Sequence, residues 1–145
     1  MTQNEDDPII TLISSIVAPF IMLFGLYVIF HGHYSPGGGF QGGTLLAAGI
    51  ILLRLALGSE LGKKQFPSQL GTPLGSLGVL IYYGTGLAAL LLGGTFLNYA
   101  FIPFTRLASH NRYWGILSIE IGVGLAVMAV LVAIYDDLLE GEPRV

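Results

Sequence analysis

Charged residues are scarce in this chain of 145 residues, and cysteine is absent. Asp, Glu, Lys and Arg together make up 10% of the residues, against about 25% in a typical soluble domain. The absence of cysteine excludes disulfides, thiolate metal sites and cysteine nucleophiles. A formal net charge of −3 provides no basic field for nucleic acid. With 53% hydrophobic residues and a mean hydropathy of +0.74, the composition indicates an integral membrane protein.

The sequence also lacks the short motifs that mark common enzyme sites. It contains no Gly-x-Ser-x-Gly nucleophile turn, no His-Glu-x-x-His zinc motif and no glycine-rich phosphate loop. The residues before Pro8 are acidic rather than basic, which argues against a cleavable signal peptide. The sequence therefore predicts no catalytic residue, no metal and no bound cofactor, and it favours a role other than catalysis.

Four apolar segments have the composition of transmembrane helices, which need about 20 residues to cross a bilayer. The predicted helices cover about residues 9–30, 42–57, 74–97 and 114–135. The polar stretch from Gly58 to Pro73 is predicted to be a surface loop. We therefore expect an all-α integral membrane protein with a single membrane domain over residues 1–145.

The connection between the first two predicted helices is short, uncharged and rich in glycine. No Asp, Glu, Lys or Arg occurs from Pro8 to Leu53. Within that window stands the run Pro36, Gly37, Gly38, Gly39, Phe40, Gln41, Gly42, Gly43. Proline fixes one φ angle, whereas glycines permit positive φ and close backbone approach. The run is interpreted either as a tight turn between helices or as an interface or pathway element near the membrane surface.

Glu120 is the only charged residue in the fourth predicted helix. A carboxylate in hydrocarbon costs at least about 2.5 kcal/mol, so Glu120 is expected to face protein or water. Gly122 and Gly124 follow it and would let another helix approach closely. Glu120 is therefore an ion-path candidate. The alternative is a protonated acid that holds a helix interface together by a hydrogen bond.

Three basic side chains are further ion-path candidates. His31 and His33 lie at the end of the first predicted helix, and imidazoles exchange protons near neutral pH. They serve either as ordinary interfacial histidines or as the point where protons enter, and no acidic or thiol ligand nearby completes a metal set. Arg54 lies near the end of the second helix, where an arginine usually extends to the lipid headgroups. A buried ion pair or a pathway role is the alternative for Arg54.

Basic residues in the connections predict the orientation in the membrane. With four spans, both termini share a side with the second connection, which contains Lys63 and Lys64. The opposite side contains Arg106 and Arg112. Counting also Arg144 near the C-terminus, the bias favours cytoplasmic termini by a narrow margin.

Two stretches carry a resemblance to a known family. The run from Gly32 to Gly43, and the later block Ile119-Glu120-Ile121-Gly122-Val123-Gly124-Leu125, resemble the B subunit of Mrp-type (Mnh-type) multisubunit cation/proton antiporters. The resemblance implies a small multi-pass subunit in the cell (inner or plasma) membrane of a prokaryote. Its implied partners are the other antiporter subunits and membrane lipid, with no nucleic acid.

The resemblance leaves two alternatives open. Related subunits occur in ion-pumping membrane-bound hydrogenase-type complexes, so the same chain could be coupled to a redox enzyme. A purely structural spacer between ion-carrying partners is the other alternative. Because a chain with one intramembrane acid can hardly form a proton relay alone, the sequence predicts that this protein does not function in isolation.

Overall fold

The chain forms long helices in a computed structural model that describes residues 8–34, 37–103 and 106–140. The helices are α1 (Pro8–Phe30), α2 (Gly39–Gln65), α3 (Gly71–Leu91) and α4 (Ala108–Glu140), with short 3₁₀ turns at Ser68–Leu70 and Tyr99–Phe101. Each long helix contains a stretch that is long and apolar enough to cross a membrane. The predicted all-α membrane fold with four spans is confirmed.

Helices α1 and α2 form an antiparallel pair. Gly42 of α2 lies against Ile29 and the carbonyl oxygen of Gly25 near the end of α1. At the opposite end of the pair, the Thr11 hydroxyl donates a hydrogen bond of 3.1 Å to the carbonyl oxygen of Ala56. Glycine at position 42 is needed because a Cβ atom there would lie 2.6 Å from the Gly25 oxygen, which is too close for a side chain.

Helices α2 and α4 run parallel and in fixed register. Gly39 contacts Glu120 at a separation of 81 residues, and Arg54 contacts Asp136 at a separation of 82 residues. Helix α3 packs antiparallel on the other side of α4, where Gly78 lies against Gly122. The order across the molecule is therefore α1, α2, α4, α3, with the parallel pair in the middle.

The buried core lies between α1, α2 and α4. Its members are aliphatic residues and methionine: Ile29, Leu46, Ala47, Ile50, Met128 and Val132. The outer faces of α1 and α3 remain apolar and exposed, as at Phe20 and Leu80. Exposed apolar faces on both flanks are what a membrane subunit presents to lipid or to other subunits.

The prediction that Gly58 to Pro73 forms a surface loop is wrong, because much of this segment is helical. Helix α2 starts at Gly39 rather than at residue 42, breaks at Gly58 (φ 77°, ψ 157°), and resumes a helical conformation as far as Gln65. The segment after Gly58 consists mostly of good helix formers. It turns back so that a Cβ atom at Gly62 would lie 2.8 Å from the Cα atom of Arg54.

The third and fourth helices also differ from their predicted bounds. Helix α3 ends at Leu91 instead of residue 97, because Gly93 adopts φ 89° and a glycine in that conformation terminates a helix. Helix α4 begins at Ala108 and ends at Glu140, and so extends beyond the predicted residues 114–135 at both ends. The longer α4 includes Asp136, the residue directly after the predicted end of the helix.

Candidate functional site

The carboxylate of Glu120 meets the first residue of α2. The backbone N–H of Gly39 donates a hydrogen bond to Oε2 of Glu120. The first N–H groups of a helix have no acceptor within the helix itself, and the N-terminus favours a negative charge. Gly38 precedes α2 and supplies no side-chain cap. The Glu120 side chain, contributed by α4, therefore caps α2.

Glycines surround this carboxylate because any side chain would collide with it. A Cβ atom at Gly38 would lie 2.5 Å from Oε2 of Glu120, and one at Gly32 would lie 2.9 Å from the same oxygen. A Cβ atom at Gly39 would lie 3.0 Å from the carbonyl carbon of Glu120. Gly38 itself is extended, with φ −158°. Close approach, rather than positive φ, is thus the reason for glycine at this site.

A cavity of about 350 Å³ lies beside the carboxylate. Residues from the start of α2 and from the middle of α4 form its walls: Gly38, Gly39, Phe40, Gln41, Ile119, Glu120 and Val123. Glu120 is the only ionisable residue among them. The site can therefore hold water next to a single acidic group.

Tyr99 adds a phenol to the surroundings of Glu120. It lies in the 3₁₀ turn before α4, and its ring packs against Gly115, where a Cβ atom would lie 2.5 Å from the ring. Burial raises the pKa of Tyr99, and Tyr82 and the negative charge of Glu120 raise it further. A negative charge at Glu120 therefore affects the Tyr99 hydroxyl electrostatically. In the described part of the chain, no hydrogen bond joins the two side chains.

The two candidate histidines lie in different surroundings. His33 packs its ring against Tyr34 and Tyr113, with ring centroids 4.0 and 4.6 Å apart. Both ring nitrogens of His33 are buried and have no hydrogen-bond partner within the part of the chain that the structure describes. His31 is exposed, and its ring stacks on Tyr27 at 4.2 Å. His33 thus lies on the α4 side of the loop, whereas His31 stays on α1.

The remaining motif glycines join the helices of this chain to one another. Gly42 packs on α1, whereas the next residue, Gly43, packs on Gly124 of α4. Gly122 faces α3 instead. The amide oxygen of Gln41 lies over Gly37, where a Cβ atom would be 2.5 Å away. Phe40 is exposed, and Pro36 lies outside the described residues.

Arg54 is buried, so the prediction that it extends to the headgroups is wrong. Its side chain forms an ion pair with Asp136 of α4, and only 2% of the arginine is exposed. A second guanidinium nitrogen, Nη2, donates a hydrogen bond of 2.7 Å to the carbonyl oxygen of Phe66. The break at Gly58 makes this bond possible, because it brings the chain back over Arg54.

Asp136 and Tyr99 are the site residues that the sequence did not identify. Asp136 belongs to a cluster of acidic residues that resembles a solvated tail, and its partner is 82 residues away. The only signal for it is Arg54 itself, a cation within an apolar segment that requires a counter-charge. Tyr99 resembles one of many interfacial aromatics, and nothing in its local sequence points to Glu120.

Comparisons with known proteins agree with the resemblance seen in the glycine motif. A family described as "Domain related to MnhB subunit of Na+/H+ antiporter" matches residues 9–133. The B subunit of the Na(+)/H(+) antiporter of Alkalihalophilus pseudofirmus is 28% identical over 140 residues, which is 96% of each chain.

Two further relatives show comparable sequence identity to this chain. The protein named "Putative antiporter subunit mnhB2" from Staphylococcus epidermidis is 32% identical over 139 residues, covering 95% of this chain and 98% of the relative. An uncharacterized protein of Methanocaldococcus jannaschii is 36% identical over 133 residues, covering 88% of this chain and 50% of that protein. With its four apolar helices and a family match over most of its length, this chain belongs to the family of membrane domains related to the MnhB subunit of Na+/H+ antiporters.

Proposed function

We propose that this chain is the B-type subunit of a multisubunit Na+/H+ antiporter and that Glu120 lies on its ion path. The observation that carries the second part is a single carboxylate at the start of a membrane helix, bordering a cavity of about 350 Å³. Family membership supports the first part. The chain acts as a transporter component without catalytic chemistry of its own.

The depth of Glu120 supports a role in transport. Tyr113 and Trp114 are aromatic, exposed residues of the kind that mark a membrane interface. Six residues further along α4, Glu120 lies about 9 Å inside that interface. Asp136 is 22 residues past Trp114, or about 33 Å, which is close to the thickness of the hydrocarbon core. Glu120 is therefore within the membrane and Asp136 at its opposite edge.

The start of α2 is also inside the membrane on this scale, because Gly39 contacts Glu120. Non-helical backbone at that depth is tolerated only where protein buries it or where it lines a water-filled cavity. Both conditions apply to the glycine-rich connection, which packs on Glu120 and borders the cavity. Water in this cavity would give protons access to the carboxylate.

The same proposal includes an orientation and partners. Lys63 and Lys64 lie in the last turn of α2, beyond Arg54, so the basic-residue rule assigns that end and both termini to the cytoplasm. The Glu120 cavity then lies in the outer half of a prokaryotic cell membrane. Exposed apolar faces on α1 and α3 are available to lipid and to the other antiporter subunits.

Glu120→Gln in the assembled complex is the direct test. Glutamine keeps the shape of the side chain and can accept the Gly39 hydrogen bond, but it cannot bind or release a proton. Exchange should fall strongly in this variant and partially in Glu120→Asp, while assembly is unchanged in both. Copurified subunits and Na+/H+ exchange in proteoliposomes provide the two measurements, with the wild-type complex as the reference.

Other outcomes would favour the alternatives. Normal exchange by a fully assembled Glu120→Gln complex would remove Glu120 from the ion path and leave it as the cap of α2. In that case Glu120→Leu should fail through loss of assembly. Copurification with redox-enzyme subunits instead of antiporter subunits would contradict the first part of the proposal, and exchange by this subunit alone would contradict its dependence on partners.

A further inference from the structure

The Glu120 cavity has walls that suit a proton better than a sodium ion. Oε2 of Glu120 accepts the N–H of Gly39. A Cβ atom would lie 2.9 Å from Oε2 of Glu120 if it were added to Gly32, and 2.5 Å from it if it were added to Gly38. A glycine carries a hydrogen atom in that direction, so Cα–H groups of both residues face the carboxylate. N–H and C–H groups present positive partial charges, and these repel a cation.

A sodium ion would need several oxygen ligands, as hard cations do in general. The lining residues supply one carboxylate, and one of its two oxygens is already engaged by Gly39. The amide oxygen of Gln41 is turned toward Gly37. In membrane transporters, helix N-termini point at anionic groups, whereas helix C-termini and unwound carbonyls coordinate cations. The end of α2 that meets Glu120 is its N-terminus.

Binding a proton at Glu120 does not require several oxygen ligands. A proton added to Oε1 turns Glu120 into a neutral acid, and Oε2 can still accept the Gly39 N–H as a carbonyl oxygen. The groups facing Glu120 from the neighbouring elements do not compete for this proton. Among the described residues these groups are the glycine backbone of the α1–α2 connection and of α2, together with the phenol of Tyr99.

We infer that Glu120 binds and releases a proton and does not bind the sodium ion, which crosses the complex elsewhere. The inference rests on the proposed function, since it specifies the ion that the Glu120 site carries. The sodium ion and the proton would then use separate sites in the complex, and any coupling between them would pass through conformation rather than through competition for one carboxylate.

Infrared difference spectroscopy of the whole reconstituted complex tests this inference. The carboxyl band of Glu120 is identified as the band that disappears in Glu120→Gln and shifts in Glu120→Asp. If the Gln variant yields too little complex, the shift in the Asp variant alone identifies the band. The band is titrated with pH in sodium chloride and in choline chloride at equal ionic strength. We expect the Glu120 band to titrate with a midpoint that is the same in both salts and at all sodium concentrations.

Two results would overturn the inference. Direct competition would lower the midpoint by about one pH unit for each tenfold increase in saturating sodium. A Glu120 band that does not titrate over the pH range in which the complex is active would exclude proton exchange at this residue. Failure of the proposed ion-path role looks different: exchange by Glu120→Gln would then be normal, whatever the spectra show.

Discussion

The two acids that α4 places against α2, Glu120 and Asp136, differ in what their carboxylates meet. Asp136 is 5% exposed and pairs with the buried guanidinium of Arg54. Glu120 is partly buried, meets no cation among the described residues, and accepts one backbone N–H beside a cavity. The contacts lie about 23 Å apart along α2. One acid has a fixed cationic partner, whereas the other has none among the described residues.

The comparison shows two ways in which a membrane subunit can stabilise a carboxylate: an ion pair with a buried cation, or a hydrogen bond from the N-terminus of a helix. An ion pair that also satisfies a backbone carbonyl, as Arg54 does at Phe66, fixes the helix ends but leaves no access to water. A helix N-terminus stabilises the acid with partial charges only. The first arrangement suits structure and the second suits transport.

Asp136→Ala should produce the largest loss of stability. It would leave the Arg54 guanidinium buried without its counter-charge, and breaking a buried ion pair in this way costs about 3–5 kcal/mol. We expect a low yield of the assembled complex and a much lower melting temperature in detergent. Glu120→Gln is the matched control on the same helix, and it should change stability little.

The double variant Arg54→Leu/Asp136→Leu sharpens this prediction. Apolar residues in place of a buried pair are often neutral, so the double variant should recover most of the stability that Asp136→Ala loses. A double variant as unstable as the single one would show that the charges hold α2 and α4 in register in a way that packing cannot replace.

Leucine at Gly38 or Gly39 should have the next largest effect. A side chain there collides with Glu120, and overpacking of this kind costs about 1–3 kcal/mol. We expect poor assembly of the Gly38→Leu and Gly39→Leu complexes, measured by copurification. His33→Ala should be milder, because it shortens a side chain instead of forcing one against Glu120, and it leaves no described hydrogen-bond partner unpaired.

Gly84→Leu is the control for these variants, since no atom of the described residues lies within 4 Å of a Cβ atom at Gly84. It should assemble normally. Intact and active complexes with leucine at both Gly38 and Gly39 would instead show that the connection is a tolerant turn and that Glu120 does not need the close contact.

The sequence predicted the Glu120 region better than the Arg54 region, and the physical reason is local. Five glycines among residues 37–43, in a window without charge, indicate close backbone approach directly. The partner of Arg54 depends on the parallel register of α2 and α4, which no local pattern reveals. The ends of α3 and α4 were missed because Gly93 resembles a packing glycine and Asp136 resembles a solvated residue.

Gly58→Ala should destabilise only the Arg54 end of α2, through backbone strain rather than through a collision. Its conformation, with φ 77° and ψ 157°, is almost restricted to glycine and costs another residue about 1–3 kcal/mol. No atom of the described residues lies within 4 Å of a Cβ there, so the expected cost is backbone strain. We expect a modest drop in melting temperature with unchanged exchange, and Gly84→Ala, open but helical, should show no drop.

A shifted pH dependence of exchange in the Gly58→Ala variant would mean that this substitution affects Glu120. It would contradict the expectation that the Arg54 end and the Glu120 end of α2 are independent. It would mean that the segment returning over Arg54 controls the cavity through α2. Equal melting temperatures of Gly58→Ala and wild type would show that the break can relax into another conformation.

The smallest expected effect is a change in the pKa of Tyr99 when Glu120 loses its charge. Burial is the main cause that raises this pKa, followed by Tyr82 and then Glu120. Glu120→Gln removes only the last of the three causes. The Tyr99 pKa should therefore fall, yet stay above its ordinary value of about 10. Tyrosinate absorbance of the complex, compared with a Tyr99→Phe variant, measures the shift.

The sign of the associated pH effect follows from linkage. Because the folded state holds the Tyr99 proton more tightly than the unfolded state, stability is lost as the pH rises above about 10. Glu120→Gln should make that loss smaller. An unchanged Tyr99 pKa would contradict this prediction, because it would mean that Glu120 places no effective negative charge near the Tyr99 hydroxyl.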